Sequence, residues 1–246
     1  MIKERGIITL SKRLGMAAAL VTHGNSVADV GCDHAYTSIY LLEAGISPRC
    51  IAMDVRQGPL ERANINIRAH CLEGRIETRL SDGLASMLPG ETATVLITGM
   101  GGQLICDILS AFPDKTRAAR ELVLSPQSEV GKVRTFLYEN GFDIVKEAMC
   151  FDAGKYYIAM KAVPCGTHKR PFPKDPELSD FLREKGDPTY VSWLEKELKL
   201  RETILNAGNE ESGENGVLPE RRRAELLDDI RRFKNEINDT RTGIRI

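Results

Sequence analysis

Two carboxylates stand near the ends of two short apolar runs, at the spacing expected of a nucleotide site. Asp29 lies in the run Val27–Val30, which is followed by Gly31 and small residues. Asp54 ends the run Cys50–Asp54, about 20 residues beyond the first turn, where a carboxylate that binds ribose hydroxyls belongs. The pair therefore indicates a cofactor that carries an adenosine. The alternative is that both acids only cap helices.

The turn after the first run favours one class of cofactor. Gly31 is followed by Asp33 and His34, so a single glycine stands where a dinucleotide fold needs G-x-G-x-x-G. A pyrophosphate at this turn would face an extra carboxylate. S-adenosyl-L-methionine has no phosphate and carries a sulfonium and an ammonium, which acids attract. We therefore expect this cofactor, with Asp29 and Gly31 at its amino acid end and Asp54 on its ribose.

Two further stretches follow apolar runs and belong to the same predicted edge of a sheet. Asp82, in Ser81-Asp82-Gly83, is expected at the adenine amino group, although an Asp-Gly turn or a helix cap would explain it too. The loop Thr98-Gly99-Met100-Gly101-Gly102 has three glycines, which predicts a close approach to its backbone rather than a merely flexible turn. The candidate catalytic residues are Asp33, His34, Gly99, Met100, Gly101 and Gly102.

The order of predicted elements indicates an α/β fold. Apolar runs within residues 26–30, at 50–54, 76–80 and 94–97, and within 121–127 with its exit loop, predict five parallel strands. Each is expected to be followed by a helix, with one more helix over 7–23 before them. Runs at 142–147 and 156–162 predict two closing strands joined as a hairpin. The expectation is a Rossmann-like doubly wound sheet with an antiparallel edge.

A change of composition at residue 164 predicts a domain boundary. Residues 164–173 form a Pro-rich segment with a basic pair, so we expect domains at 1–163 and 164–246. Two stretches with heptad-like spacing of apolar residues flank the expected loop 208–216 and predict a coiled-coil-like αα-hairpin. The basic clusters at 221–223 and 231–234 fit either an RNA-contacting surface or a salt-bridged helix face.

Composition narrows the class of protein further. Lys plus Arg number 34 and Asp plus Glu 35, a net charge of −1, so any surface for nucleic acid must be local. The six cysteines have neither C-x-x-C nor Cys/His ligand spacing, which argues against a metal site and predicts reduced, mostly buried thiols. No run reaches the ~20 apolar residues of a membrane span. We expect a cytoplasmic monomer without a metal.

In its motifs the sequence resembles the bacterial TrmK family, the tRNA (adenine-22, N1) methyltransferases. The matching stretches are Leu10–Leu14, Ala28–Tyr36, Ala52–Val55 with Gly58–Leu60, Ser81–Leu84, Thr98–Gly102, Leu124–Gln127 and Gly154–Tyr157. Thr37-Ser38 departs from the Leu-Pro pair expected there. The resemblance implies a class I S-adenosyl-L-methionine enzyme with a helical C-terminal appendage and tRNA as its substrate. It also adds Arg13, Val55, Gly83 and Gly99 to the expected cofactor-binding residues.

The implied reaction makes chemical sense of the glycine loop. Adenine N1 carries an in-plane lone pair, so methyl transfer to it needs no strong general base, and positioning would supply the catalysis. A target in a stacked tRNA arm must be turned out of the stack. The alternatives are a methyltransferase for another RNA or a small molecule, a non-catalytic tRNA-binding protein on this fold, and a nicotinamide dehydrogenase.

Overall fold

The computed structural model describes residues 7–166, 173, 175–210 and 218–242. The chain divides into two compact units, Met1–Leu178 and Ser179–Ile246. The boundary expected after residue 163 stays a prediction, because the basic pair of the linker lies outside the described residues.

One seven-stranded sheet forms the centre of the first unit, with strand order β3-β2-β1-β4-β5-β7-β6. The first five strands are parallel, and β7 and β6 are antiparallel at one edge. The predicted α/β fold class is confirmed. The strands are β1 Val27–Val30, β2 Cys50–Asp54, β3 Ile76–Leu80, β4 Thr94–Thr98, β5 Glu121–Ser125, β6 Phe142–Asp152 and β7 Lys155–Pro164.

The central strands are apolar because they are covered on both faces. Every residue of β1, β2 and β5 is buried, which is why these runs lack the alternation of a half-exposed strand. The helices of the first unit are α1 Lys12–Ala18, α2 Tyr36–Glu43, α3 Gln57–Ala69, α4 Gly102–Ala111, α5 Pro113–Ala118 and α6 Val130–Glu139.

The helix expected over residues 7–23 is shorter than predicted. It begins after Ser11, whose Oγ accepts a hydrogen bond from the N–H of Leu14. It ends at Ala18, because the N–H groups of Leu20 and Val21 turn back to carbonyls three residues earlier. Leu20 and Val21 remain buried, so the apolar pattern continues beyond the helix that it predicted.

The helix expected between β3 and β4 is absent from the structure. Ser81 Oγ accepts from the N–H of Ser86 and donates to the carbonyl of Gly83, at 3.0 and 2.9 Å. Such local bonds offer the backbone an alternative to a helix. Leu84 and Met87 fill the core from this loop instead.

The closing hairpin is longer and its loop tighter than predicted. β6 continues through a bulge near Val145 as far as Asp152, which pairs with Lys155. Only Ala153 and Gly154 connect the strands, both at positive φ (46° and 82°), as a two-residue hairpin turn requires. The ends of both strands therefore lie at the surface as paired backbone.

The second unit consists of α7 Asp180–Glu184, α8 Pro188–Glu210 and α9 Glu220–Thr242. The two long helices confirm the predicted helical hairpin, although α8 continues past Gly208, where the loop was expected. Four apolar residues of α9 at heptad-like spacing are buried: Leu226, Ile230, Phe233 and Ile237. Arg201 of α8 covers the Phe233 ring at 4.2 Å.

Ion pairs occupy much of the basic surface of α9. Arg221 and Arg222 pair with Glu225, and Arg232 pairs with Asp229. This arrangement is the salt-bridged helix face that the sequence left as one alternative. Arg223 and Arg231 are exposed, and neither forms an ion pair within the described part of the chain.

Neither a membrane helix nor a metal cluster occurs among the residues that the structure describes. No helix there is long and apolar enough to cross a membrane. No group of three or more His, Cys, Asp and Glu side chains converges as metal ligands would. All six cysteines are free, but only three are buried (Cys32, Cys50 and Cys106), fewer than the sequence predicted.

Candidate functional site

The carboxyl ends of the parallel strands bring most of the predicted site residues to one edge of the sheet. Val30 of β1 pairs with Met53 of β2 and with Ile97 of β4, and Ile97 pairs with Leu124 of β5. The turns after these four strands therefore lie side by side in the order β2, β1, β4, β5. Ligands of open α/β sheets bind at this edge.

The turn after β1 is held in a conformation that ordinary residues avoid. Gly31, Asp33 and Ala35 all have positive φ, at 74°, 48° and 59°. The N–H groups of Gly31 and Cys32 both donate to the carbonyl of Met53. A Cβ atom at Gly31 would lie 2.3 Å from Met100 Cε, the flexible end of that side chain, so the positive φ rather than space is what favours glycine there. The turn after β1 and the loop after β4 are therefore in direct contact.

Asp29 is more deeply buried than a residue at the mouth of the sheet. The residue is 2% exposed, and Oδ2 accepts a hydrogen bond of 2.7 Å from Ser38 Oγ of α2. Burial raises the pKa of Asp29 from 3.8 to about 6, and the Ser38 hydrogen bonds oppose the rise. Asp29 thus joins β1 to the helix that follows the turn.

Asp33 and His34 point outward from the same turn. Their side chains are 63% and 32% exposed, and His34 Nε2 lies 3.6 Å from Asp33 Oδ2. The His34 ring stacks on Tyr36, with centroids 5.4 Å apart. Asn66 Nδ2 donates to the His34 carbonyl at 2.9 Å, which fixes the backbone below these rings. The two candidate residues are available to a ligand at the surface.

Asp54 presents a nearly buried carboxylate between two exposed apolar side chains. It is 6% exposed, and Oδ1 accepts from the N–H of Arg56 at 2.9 Å. Val55 is 60% and Leu80 56% exposed, and Leu80 is the register partner of Asp54 on β3. The carboxylate can accept hydrogen bonds from hydroxyls, and the aliphatic side chains beside it can cover the faces of a base.

Asp82 and Gly83 lie in the loop that leaves β3. Asp82 is exposed, whereas Gly83 is buried at a φ of 54°. A Cβ atom at Gly83 would meet Ile108 Cγ2 at 2.9 Å. Gly83 therefore serves packing against α4, and Asp82 is the group of this pair that faces solvent.

The glycine loop after β4 packs tightly on the loop after β5. Gly102 donates to the carbonyl of Ser128, and a Cβ atom there would lie 2.6 Å from the Glu129 carbonyl oxygen. A Cβ atom at Gly101 would meet only Ser128 Oγ, at 3.2 Å. Gly99 has a φ of 78°. Gly102 thus permits close packing, Gly101 leaves space beside the loop, and Gly99 permits the turn.

Arg13 lies beside the glycine loop. Its N–H donates to Asp152 Oδ2 at 3.2 Å, and its guanidinium lies 5.6 Å from the centre of the Tyr157 ring. A Cβ atom at Gly99 would be 3.7 Å from Arg13 Nη1. The N-terminal helix and the closing hairpin therefore both contribute to the β4 side of the edge.

Sequence reasoning assigned no role to two residues of this cluster, Gln127 and Tyr157. The N–H of Gln127 donates to the Met100 carbonyl at 2.9 Å, and its Nε2 is 3.7 Å from the position of a Cβ at Gly99. The available signal was the polar amide directly after a strand and a proline, in a stretch that the family resemblance had already singled out.

Comparison with known proteins gives consistent matches. A family model described as "Methyltransferase domain" matches residues 10–160. The tRNA (adenine(22)-N(1))-methyltransferase of Bacillus subtilis is 33% identical over 155 residues, which are 63% of this chain and 65% of that protein. The alignment thus spans slightly less than two thirds of that relative's length.

Solved structures match over nearly the whole chain. A Streptococcus pneumoniae protein described as a candidate tRNA (m1A22) methyltransferase has a TM-score of 0.84 at 32% identity, covering 93% of this chain and 100% of that one. Its complex with S-adenosyl-L-methionine has a TM-score of 0.81 at 31% identity, with the same coverage. The Bacillus subtilis methyltransferase TrmK has a TM-score of 0.76 at 27% identity, covering 93% and 99%. The chain belongs to the methyltransferase domain family, and its predicted resemblance to TrmK proteins is confirmed.

Proposed function

We propose that this protein transfers the methyl group of S-adenosyl-L-methionine to N1 of an adenine in tRNA, at position 22. The observation that carries the proposal is the contact between Met100 and Gly31, which joins a cofactor-type turn to a glycine loop at one sheet edge. The names of the relatives supply the substrate. The site would act in the cytoplasm on free tRNA, as a monomer.

The residues at the ends of β1 to β3 fit S-adenosyl-L-methionine. Asp29 and Gly31 lie at the turn proposed for the amino acid end of the cofactor, and Asp33 supplies negative charge there for an ammonium and a sulfonium. The nearly buried Asp54 suits ribose hydroxyls, because charge-assisted hydrogen bonds to a carboxylate are strong. Val55 and Leu80 offer aliphatic surface to the adenine faces, with Asp82 beyond them. When bound, the cofactor supplies an electrophilic methyl group.

The chain's own residues position the target base. The N1 lone pair forms the new bond to the methyl carbon, and the electron pair of the broken S–C bond stays on sulfur. The positive charge moves to the adenine, and the cationic product can lose an N6 proton to water afterwards. No protein base is required, so Gly99–Gly102 contributes shape and the exclusion of water. Asp33 and His34 border the site from the β1 turn.

Methyl transfer to defined tRNA tests this function. Labelled S-adenosyl-L-methionine is incubated with the protein and unmodified tRNA, and the modified base is mapped by a reverse-transcription stop. We expect label and a stop at position 22 only, and neither in tRNA carrying guanine at that position. A stop elsewhere would identify another RNA target. Cofactor binding without any transfer would favour a non-catalytic tRNA-binding protein.

The helical unit is the proposed tRNA-binding appendage. Arg223 and Arg231 remain exposed on α9, while neighbouring basic residues are paired with acids. Local positive charge without acidic partners can meet a phosphate backbone.

Truncation tests this role. A chain that ends at Leu178 retains the hydrogen bond of 2.7 Å from Arg134 Nη1 to the Pro176 carbonyl, which a chain ending at residue 163 lacks. We expect the chain ending at Leu178 to bind the cofactor within about twofold of the full chain and to lose tRNA methylation by at least about tenfold. Unchanged methylation would give the helices a structural role instead.

A further inference from the structure

The strand order leaves a defined place for the target base. The acidic residues proposed for the cofactor are Asp54, at the end of β2, and Asp29, within β1. By contrast, β4 is followed by the glycine loop, and β5 is followed by Pro126-Gln127. Next to a cofactor bound over β1 and β2, on the side of β1, the free part of the sheet edge therefore lies over β4 and β5. The side chains at this end of β5 are therefore those that an incoming base would meet.

Gln127 is held at this position by its backbone. Ser125 Oγ donates to the Ile158 carbonyl at 2.8 Å, which fixes the end of β5 on the closing hairpin. Pro126 is buried, and the N–H of Gln127 donates to the Met100 carbonyl. The loop after β5 is thus attached to the loop after β4. The Gln127 side chain starts from a rigid point.

The Gln127 amide is exposed and free to bind. Within the part of the chain that the structure describes, its side-chain amide makes no hydrogen bond to protein. Its Nε2 and Arg13 Nη1 both lie 3.7 Å from the position of a Cβ at Gly99, so both groups border the same space. Arg13 can only donate hydrogen bonds, whereas an amide both donates and accepts.

We propose that Gln127 recognises the target adenine through its Hoogsteen edge, an inference that rests on the proposed function. The amide oxygen accepts from the adenine N6–H, and the amide nitrogen donates to N7, which is the pairing that glutamine makes with adenine. N1 lies on the other side of N6 and stays free for the methyl group. Guanine presents an acceptor at O6, which would face the amide oxygen, so Gln127 also excludes guanine.

The same contact would strengthen as the reaction proceeds. Methylation puts positive charge on the adenine ring and its N6 amino group, so the N6–H becomes a better donor. An acceptor that binds more tightly as charge develops lowers the barrier rather than only the dissociation constant. The Gln127 oxygen is therefore placed to favour the transition state of N1 methylation.

An atom-level substitution in the substrate tests this contact. tRNA carrying 7-deazaadenosine at position 22 lacks the N7 acceptor but keeps N1 and N6. Single-turnover methylation of both tRNAs is compared for wild type, Gln127→Ala, Gln127→Glu and the control Gln103→Ala. Gln103 carries another exposed amide, which donates to Asp107 on α4.

We expect wild type and the Gln103→Ala control to methylate the 7-deaza tRNA about tenfold more slowly than normal tRNA. Gln127→Ala should be slow on both tRNAs and distinguish them by less than about twofold. Gln127→Glu should prefer the 7-deaza tRNA, because its carboxylate repels the N7 lone pair. Cofactor affinity, measured by calorimetry, should be unchanged in all variants.

Three results would overturn the inference in separable ways. A Gln127→Ala variant as sensitive to N7 as wild type removes Gln127 from the base contact. A wild type that ignores N7 removes the Hoogsteen edge altogether. A wild type that methylates no tRNA overturns the proposed function and this contact with it.

Discussion

The turns after β1 and β2 differ from those after β4 and β5 in how far along the chain their partners lie. Asp54 bonds to the N–H of Arg56, two residues away, and Asp29 bonds to Ser38, nine residues away. By contrast, the Gly99 loop is bordered by Arg13, whose N–H bonds to Asp152, 139 residues later. The carboxylates of β1 and β2 thus have hydrogen-bond partners near them in the chain, whereas the surface around Gly99 also takes residues from the N-terminal helix and the closing hairpin.

This difference separates two ways of making a site. A locally built turn fixes its ligand groups wherever the strand and the following helix form. A surface assembled from several loops depends on the whole sheet. We expect variants at Gly101 and Gln127 to impair transfer while sparing cofactor binding, and variants at Asp54 to impair cofactor binding. Gly99 and Arg13, which are also expected cofactor-binding residues, should affect both.

The largest effect on methylation is expected from a substitution at Gly101. A valine there would fill the space that the target adenine needs, so methylation should fall by on the order of a hundredfold or more. Cofactor affinity should stay within about twofold, because Gly101 belongs to the substrate side. Measured rates and calorimetry on the same preparation check both statements.

Gly102→Ala is the matched control for the Gly101 variant. Its Cβ would lie 2.6 Å from the Glu129 carbonyl oxygen, so it should lower the free energy of unfolding rather than act on the base alone. An active Gly101→Val enzyme would show that the adenine does not occupy this space.

A smaller effect is expected at Asp33, which borders both sides. Asp33→Ala should slow turnover by about tenfold to a thousandfold through lost positioning. Asp33→Asn keeps a residue that tolerates the φ of 48°, so it separates the charge from the backbone requirement. Equal rates for wild type and both variants would contradict a role in positioning.

The sequence predicted the locally determined parts of the fold better than the other parts. The ends of β2 and β3 were predicted to the residue, because apolar runs that stop at an acid or a turn are local signals. The prediction of a helix after β3 was wrong, because the Ser81 side chain forms hydrogen bonds with backbone groups of that loop. Periodicity alone does not show which structure a serine favours.

For the candidate site, the sequence predicted several of the residues but not the contacts between loops. Asp54 and the glycine loop were identified from their places in the chain, and the structure brings both to one edge. The contacts of Gln127 and Tyr157 were not, because hydrogen bonds and ring contacts between loops leave no period in the sequence. The deep burial of Asp29 also escaped prediction, since it depends on α2 folding back over β1.

Asp54→Ala tests the carboxylate that is proposed to bind the ribose of the cofactor. Loss of a buried, charge-assisted hydrogen bond costs about 1.5 to 3 kcal/mol, so cofactor affinity should fall at least about tenfold. Asp82→Ala is the control: its carboxylate is exposed, and its loss should weaken binding less. Calorimetry on both variants gives the ratio. Unchanged binding in Asp54→Ala would remove this carboxylate from the cofactor site.

The smallest expected effect concerns the pH dependence of Asp29. Its pKa is raised by burial to about 6, above the unfolded value of 3.8, so the folded protein holds this proton more tightly than the unfolded chain. The stability that this proton contributes is complete below pH 3.8 and is lost as the pH rises through 6.

Asn at position 29 keeps an acceptor for Ser38 but does not titrate. Wild type and Asp29→Asn should therefore approach each other in free energy of unfolding at low pH, and wild type should lose stability relative to the variant as the pH rises to 8. Urea unfolding at several pH values measures this difference. Parallel pH profiles would show that Asp29 stays charged in the folded protein, as a carboxylate with access to water does. In that case the hydrogen bonds from Ser38 would offset the cost of burying this charge, and the local pairing of Asp29 with α2 would be strong enough to hold a buried carboxylate ionised.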